Sequence, residues 1–274
     1  MSLKQYITIL AGKLANREGG ALTTWAIKRF IKRYKVNMQE ALHPDPSSYS
    51  TFNEFFTREL KPDARSINDS NLICPVDGSI SQLGNIADNG SIFQAKGHKY
   101  TAMQLLAGNT ELASRFNNGS FITIYLSPRD YHRIHMPCDG KLLAMHYVPG
   151  SLYSVNPKTV ARVPELFARN ERLVCEFEND ILGRFVLVMV GATIVGSMST
   201  QWHGVVNASR PADIQSFGYG VTGPTLEKGD EMGQFQLGST VILLFEPNKV
   251  VFDNRLMEKS PVQLGESLIH TQHQ

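Results

Sequence analysis

The sequence predicts an α+β fold: a mainly antiparallel β core preceded by amphipathic N-terminal helices. Three observations carry this expectation. The N-terminal segment places apolar residues at helical spacing. From about residue 72 the chain breaks into short β-like runs punctuated by Gly, Pro, Asn and Asp. Strand and helix patterns are not alternated over a long stretch, which argues against a doubly wound parallel sheet. With 274 residues, 42% hydrophobic and 19% charged, the chain suits one large globular domain with a small appendage rather than disorder.

The elements follow in order. Leu3, Tyr6, Ile7, Leu10 and Leu14 keep the i, i+3, i+4, i+7 rhythm of a first helix, which Gly19 and Gly20 end. A second helix is expected over residues 22–34, with Leu22, Trp25, Ala26, Phe30 and Tyr34 on one side and Ile27 and Ile31 widening it. Residues 1–35 hold eight cations and one acid, a charge of +7, leaving −5 for the rest of a chain of net charge +2. A cationic helix bearing Trp and Phe suits a membrane interface. A helix packed on the domain with a solvated basic face fits the same pattern. "HPDPSSYS" (43–50) reads as a linker between a helical arm, 1–44, and a β-rich domain, 45–274. "TFNEFFTREL" then reads as a short helix capped by Thr51 or Ser50. The β-like runs are "GSFITIYL" (119–126), "KLLAMHYV" (141–148), "RLVCEF" (172–177), "RFVLVMVGATIVGSM" (184–198) and "STVILLFE" (239–246), with a helical interlude, "TAMQLLAGNTELASRF" (101–116).

Some classes are disfavoured at this level. Cys74, Cys138 and Cys175 are odd in number and form no close pair, so a reducing compartment is expected rather than a disulfide framework, and no zinc motif is seen. No secretory signal and no run of 18 apolar residues is evident.

Three clusters can carry chemistry. "CPVDGSISQLG" (74–84) contains Asp77, although Asp-Gly after Pro-Val is also a ready-made turn. "YLSPRDYHRIHMPCDG" (125–140) contains His132, His135 and Cys138 at three-residue spacing. On a helix that spacing could ligate a metal, but Pro128, Pro137 and Gly140 argue for a loop, so no metal is expected. Imidazole there suits general acid–base work; structural histidine is the alternative. "QLGST" places Ser239 after Gly238, whose missing side chain leaves the peptide carbonyl approachable. Together Ser239, His135 or His132, and Asp77 supply what activates a serine. No G-x-S-x-G surrounds Ser239, so a hydrolytic nucleophile of that type is disfavoured. "VGATIVGS" lacks both the P-loop Lys and G-x-G-x-x-G spacing, and its glycines read as close-packing positions.

With these residues in view, the chain resembles the bacterial, pyruvoyl-dependent phosphatidylserine decarboxylase family. "LGST" with "EMGQF" before it looks like that family's self-cleavage site, and "TFNEFFTREL", "PVDGSISQLG", "QAKGHKY", "YLSPRDYHRIHMPCDG", "LFARNER" and "VGATIVGS" resemble family segments in the same order. The resemblance reaches about residue 250; the tail after about Phe252 shows little family pattern and is taken not to bear on the candidate positions.

The resemblance implies a zymogen that makes its own cofactor. Ser239 attacks the carbonyl of Gly238, the ester eliminates to a dehydroalanine, and its hydrolysis leaves a pyruvoyl group at position 239, giving fragments 1–238 and 239–274 that stay associated. His135 and Asp77 take the positions of the family's base and its orienting carboxylate, and His132 that of the histidine assisting decarboxylation. The implied activity is that of a lyase of phospholipid biosynthesis: phosphatidylserine from the bilayer loses carbon dioxide and becomes phosphatidylethanolamine, with the pyruvoyl group as electron sink. It further implies docking of the N-terminal arm on an anionic membrane surface, a peripheral location on the cytoplasmic side of a bacterial cell membrane, a homodimer, and no nucleic-acid partner.

Overall fold

The computed structural model describes residues 12–193, 197–206, 210–236 and 239–270. The expected first helix lies mostly outside them; the second is a helix over Ala21–Tyr34. Ile27 is fully buried and joins Val36, Tyr49 and Phe55 in a small apolar cluster, with Phe30, Ile31 and Phe52 packed against it. Leu22 and Trp25, expected on the same stripe, are instead 71% and 60% exposed. The helix thus spends only part of its apolar surface on the domain.

A nine-stranded antiparallel sheet dominates the described residues. Its strands run Gln215–Gly218, Gly140–Val148, Arg172–Asn179, Gly183–Val190, Ser239–Phe245, Ser120–Leu126, Gly78–Asn85 and Pro261–Val262, with Thr225–Leu226 also paired to Gly140–Val148. The Ser239–Phe245 strand is central, hydrogen-bonded to Ser120–Leu126 on one side and Gly183–Val190 on the other. Val241, Leu243 and Phe245 face one core, and Ile242 and Leu244 the other. Burial on both faces explains why "VILLF" is continuously apolar rather than alternating.

A smaller sheet joins Gly204–Val205, Met198–Thr200, Glu231–Phe235 and Arg133–His135. The run 184–198 therefore does not form one β element. It ends in the main sheet at Val190, and its last residue, Met198, opens a strand of the smaller one. Gly191 leaves the main-sheet ladder by donating its N–H to Glu171 O. The 101–116 interlude is likewise two short helices, Ala102–Leu105 and Thr110–Ser114. Ala107 and Gly108 take positive φ of 62° and 80° between them, and Asn109 caps the second helix. Thr51, not Ser50, caps the Phe52–Phe56 helix, accepting from the backbone N–H of Glu54.

Candidate active site

Chain reversal by side chain and backbone delivers His132. After the Ser120–Leu126 strand, Ser127 N–H donates to the Asp130 carboxylate (2.6 Å) and Asp130 N–H to Ser127 O (2.9 Å), closing a tight turn. The turn throws His132 inward, where it is fully buried under the ring of Phe56, centroids 4.0 Å apart. Ser239, also fully buried, opens the central strand opposite Leu126. The two meet at 3.4 Å, His132 Nδ1 to Ser239 Oγ.

The protons on this pair can be assigned. Burial, with the nearby Arg58 charge, pushes His132 down to about 3, so its ring is neutral. Its Nε2 lies 3.1 Å from Ser127 O, a carbonyl that can only accept, so Nε2 carries the hydrogen. Nδ1 is then a lone pair, and the Ser239 hydroxyl donates to it. His132 holds the chain a second time: its own carbonyl accepts from Phe235 N–H at 3.1 Å. Leu237 and Gly238, the expected site of cleavage with Ser239, lie outside the described residues.

His135 has the opposite tautomer. Its Nδ1 donates to Gly229 O (2.7 Å), leaving Nε2 to accept from the Tyr131 hydroxyl (3.1 Å). Burial lowers its pKa too, but the Gly229 hydrogen bond and the charges of Glu231 and Asp77 oppose that shift. Its backbone N–H donates to Pro75 O at 2.9 Å, which ties the His135 strand to the segment leading to Asp77. Asp77 itself accepts from Arg65 Nε (2.9 Å) and Nη2 and from Leu264 N–H (3.0 Å). Arg65 is shared with Glu40 at 2.7 Å.

The structure thus joins Ser239 to His132. Among the described residues no hydrogen bond runs from His135 to Ser239 or from Asp77 to either histidine. The tail does bear on the site: Leu264 N–H bonds Asp77, and Pro261–Val262 pairs with Gly78 and Ser79. That corrects the expectation drawn from its weak pattern. Phe56, Arg58, Arg65 and Tyr131 also shape the site. Phe56 and Arg58 lie in "TFNEFFTREL", where an aromatic pair with an arginine close behind it was the available signal.

Phe56 has a second face. With Leu22, Ala26, Phe30, Tyr34 and Phe52 it lines an apolar cavity of about 850 Å³ between the Ala21–Tyr34 helix and the domain. The residues present fit a serine-derived group: a buried hydroxyl donating to an unprotonated imidazole, whose ring stacks on Phe56, a lining residue of the apolar cavity. Among the described residues no group of three or more His, Cys, Asp and Glu side chains is placed to hold a metal ion. Nor is any helix among them long and apolar enough to cross a membrane.

Comparison with known proteins gives the chain's family. A family model described as phosphatidylserine decarboxylase matches residues 52–270, and one described as PSD matches residues 4–35. The first match extends beyond residue 250, where the sequence resemblance fades. The phosphatidylserine decarboxylase proenzyme of Chromobacterium violaceum is 57% identical over 97% of this chain and 94% of its own length. Those of Dechloromonas aromatica and Herminiimonas arsenicoxydans are 56% and 57% identical over 97% and 98% of this chain and 93% and 90% of their own. The chain belongs to the phosphatidylserine decarboxylase family.

Proposed function

We propose that this chain decarboxylates phosphatidylserine to phosphatidylethanolamine after cutting itself between Gly238 and Ser239. Family membership supports the activity. The buried Ser239 hydroxyl, donating to a neutral imidazole lone pair at 3.4 Å, is the observation that carries the cleavage position. A serine hydroxyl is a poor nucleophile until a base takes its proton. The pyruvoyl group, once present at position 239, supplies an electron sink for the loss of carbon dioxide.

The roles of the two histidines are divided by basicity and by distance. His135 is the stronger base, because its pKa is lowered less and neighbouring carboxylates support its cation. We assign it, with Asp77 as the supporting charge, to the Ser239 proton during self-cleavage; Tyr131 must release its Nε2 first. His132 lies beside residue 239, where the pyruvoyl group forms, and we assign it to returning a proton to the substrate carbon that has lost carbon dioxide. A second reading rests on the 3.4 Å contact alone: His132 takes the Ser239 proton itself.

The fragments stay together because the cut falls at the edge of the strand, not across it. Residues 239–245 keep both neighbouring strands, and Leu268 N–H still donates to Leu72 O. Residues 1–44 serve as a docking arm for an anionic bilayer and residues 45–274 as the catalytic domain. The exposed Leu22 and Trp25 beside the apolar cavity support a peripheral location, on the cytoplasmic side of the cell membrane. The homodimer is part of the same proposal, and light scattering of the purified chain tests it. Ser239→Ala tests the whole reading: the variant is expected to remain one chain and to release no carbon dioxide. Full decarboxylation by that variant would overturn it.

A further inference from the structure

His135 is held by both of its ring nitrogens. Its Nδ1–H donates to Gly229 O at 2.7 Å, and its Nε2 accepts from the Tyr131 hydroxyl at 3.1 Å. A carbonyl can only accept, so the hydrogen stays on Nδ1. Nε2 is then the one lone pair that the neutral ring can offer, and Tyr131 occupies it. In the uncut chain the stronger base of the two histidines has no free nitrogen.

Tyr131 is fixed in this place. It is 5% exposed, and its ring centroid lies 5.7 Å from that of His135. Burial pushes its phenol well above the ordinary range, so the hydroxyl keeps its hydrogen and acts as a donor. A phenol that resists ionisation is also a poor carrier for the Ser239 proton. The charges facing His135 are Glu231 and Asp77, which favour its cation, and Arg133, which opposes it. Tyr131 acts against the two carboxylates, because a hydrogen bond donated to the lone pair favours the neutral ring.

We propose that Tyr131 is a positioning residue acting through His135: its hydroxyl holds the lone pair of the base in the uncut chain and so slows self-cleavage. The proposal rests on the assignment of His135 to the Ser239 proton. The hydrogen bond must break before Nε2 can accept that proton, so its free energy adds to the barrier. A neutral hydrogen bond is worth little net, and the brake is correspondingly weak. It delays the cut without preventing it.

The test is Tyr131→Phe, which removes one oxygen and keeps the ring. Cell-free synthesis supplies the uncut chain, and the 36-residue fragment is followed by mass as it forms. Cleavage is expected to be ~2–10-fold faster than in the wild-type chain. A hydroxyl with a purely structural role predicts an unchanged or slower cut, and a proton relay predicts a much slower one; any of these would overturn the proposal. The acceleration must also pass through His135. Tyr131→Phe combined with His135→Ala is expected to cleave no faster than His135→Ala alone, and acceleration that survives the loss of His135 would overturn the proposal. Where Tyr131→Phe fails to fold, 3-fluorotyrosine at position 131 gives a second measurement. Its hydroxyl is the stronger donor, so slower cleavage is expected; an unchanged or faster cut overturns the brake. His135→Ala alone tests the parent reading separately. Slow cleavage by it, with no acceleration in Tyr131→Phe, refutes only the brake. Normal cleavage by it refutes the assignment of the base, and the brake with it.

Discussion

His132 Nδ1 lies 3.4 Å from Ser239 Oγ, while the His132 carbonyl accepts from Phe235 N–H at 3.1 Å. One residue therefore grips the chain on both sides of the Gly238–Ser239 bond. The first contact is made by a neutral ring whose hydrogen sits on the far nitrogen, so the serine proton points at a lone pair.

The division of labour between the histidines is separable by mutation. His135→Ala is expected to slow self-cleavage by ~10²–10⁴-fold, the usual worth of general acid–base catalysis. His132→Ala is expected to cleave and then decarboxylate poorly by a similar factor. Fragment mass and carbon dioxide release, measured on the same sample, separate the steps. Failure of His132→Ala to cleave, with normal cleavage by His135→Ala, would favour the contact-based reading.

Asp77 has a structural duty besides its proposed electrostatic one. Asp77→Ala strands the largely buried Arg65 with Glu40 alone and leaves Leu264 N–H without its acceptor. A loss of ~3–5 kcal/mol in urea unfolding is expected, as for other broken buried pairs. Asp77→Asn keeps an acceptor for Leu264 and removes the charge. It is therefore expected to slow cleavage with a smaller loss of stability than the alanine variant. Equal stability losses would show that the carboxylate charge itself holds this corner.

Stability should also depend on pH through His132. Its folded-state pKa is near 3, below the 6.5 of the free side chain. As pH falls through about 6.5 the unfolded chain takes up the proton first, so stability drops, approaching about 1.4 kcal/mol per pH unit. The loss levels off below the folded value. His135 and His146, also lowered by burial, add to it with the same sign. Urea unfolding of the Ser239→Ala chain between about pH 7.5 and about pH 5 measures the slope. His132→Gln is expected to flatten it, and an unflattened slope would contradict the neutral ring.

The N-terminal helix offers a test that leaves the core alone. Leu22 and Trp25 are largely exposed, so changing both to Ser is expected to leave unfolding nearly unchanged. Binding to anionic vesicles should fall by ~10-fold or more, since each side chain can bury ~1.5–3 kcal/mol of apolar surface in the interface. Sedimentation with vesicles at two salt concentrations reads this loss and the electrostatic share of binding. Undiminished binding would place the docking surface elsewhere.

Much of this was legible in the sequence, for reasons that differ by element. The central strand was visible because burial on both faces demands the unbroken apolar run at residues 241–245. Asp77, His132, His135 and Ser239 were visible as residue types in ordered motifs, but not their pairings. His132 reaches Ser239 across 107 positions of chain, and Asp77 meets Leu264 across 187, distances at which periodicity says nothing. The helical interlude was misread as continuous because its apolar spacing survives the break at Ala107 and Gly108. How much of the Ala21–Tyr34 helix the domain covers was not legible, because spacing shows that a stripe exists, not how much of it a neighbour covers.

The most direct measurement is the denatured mass of the purified, active protein. The expected result is two species: residues 1–238, and a 36-residue fragment starting at position 239 whose N-terminus is blocked and carries a pyruvoyl group in place of serine. A single uncut 274-residue chain in a sample that releases carbon dioxide from phosphatidylserine would contradict it.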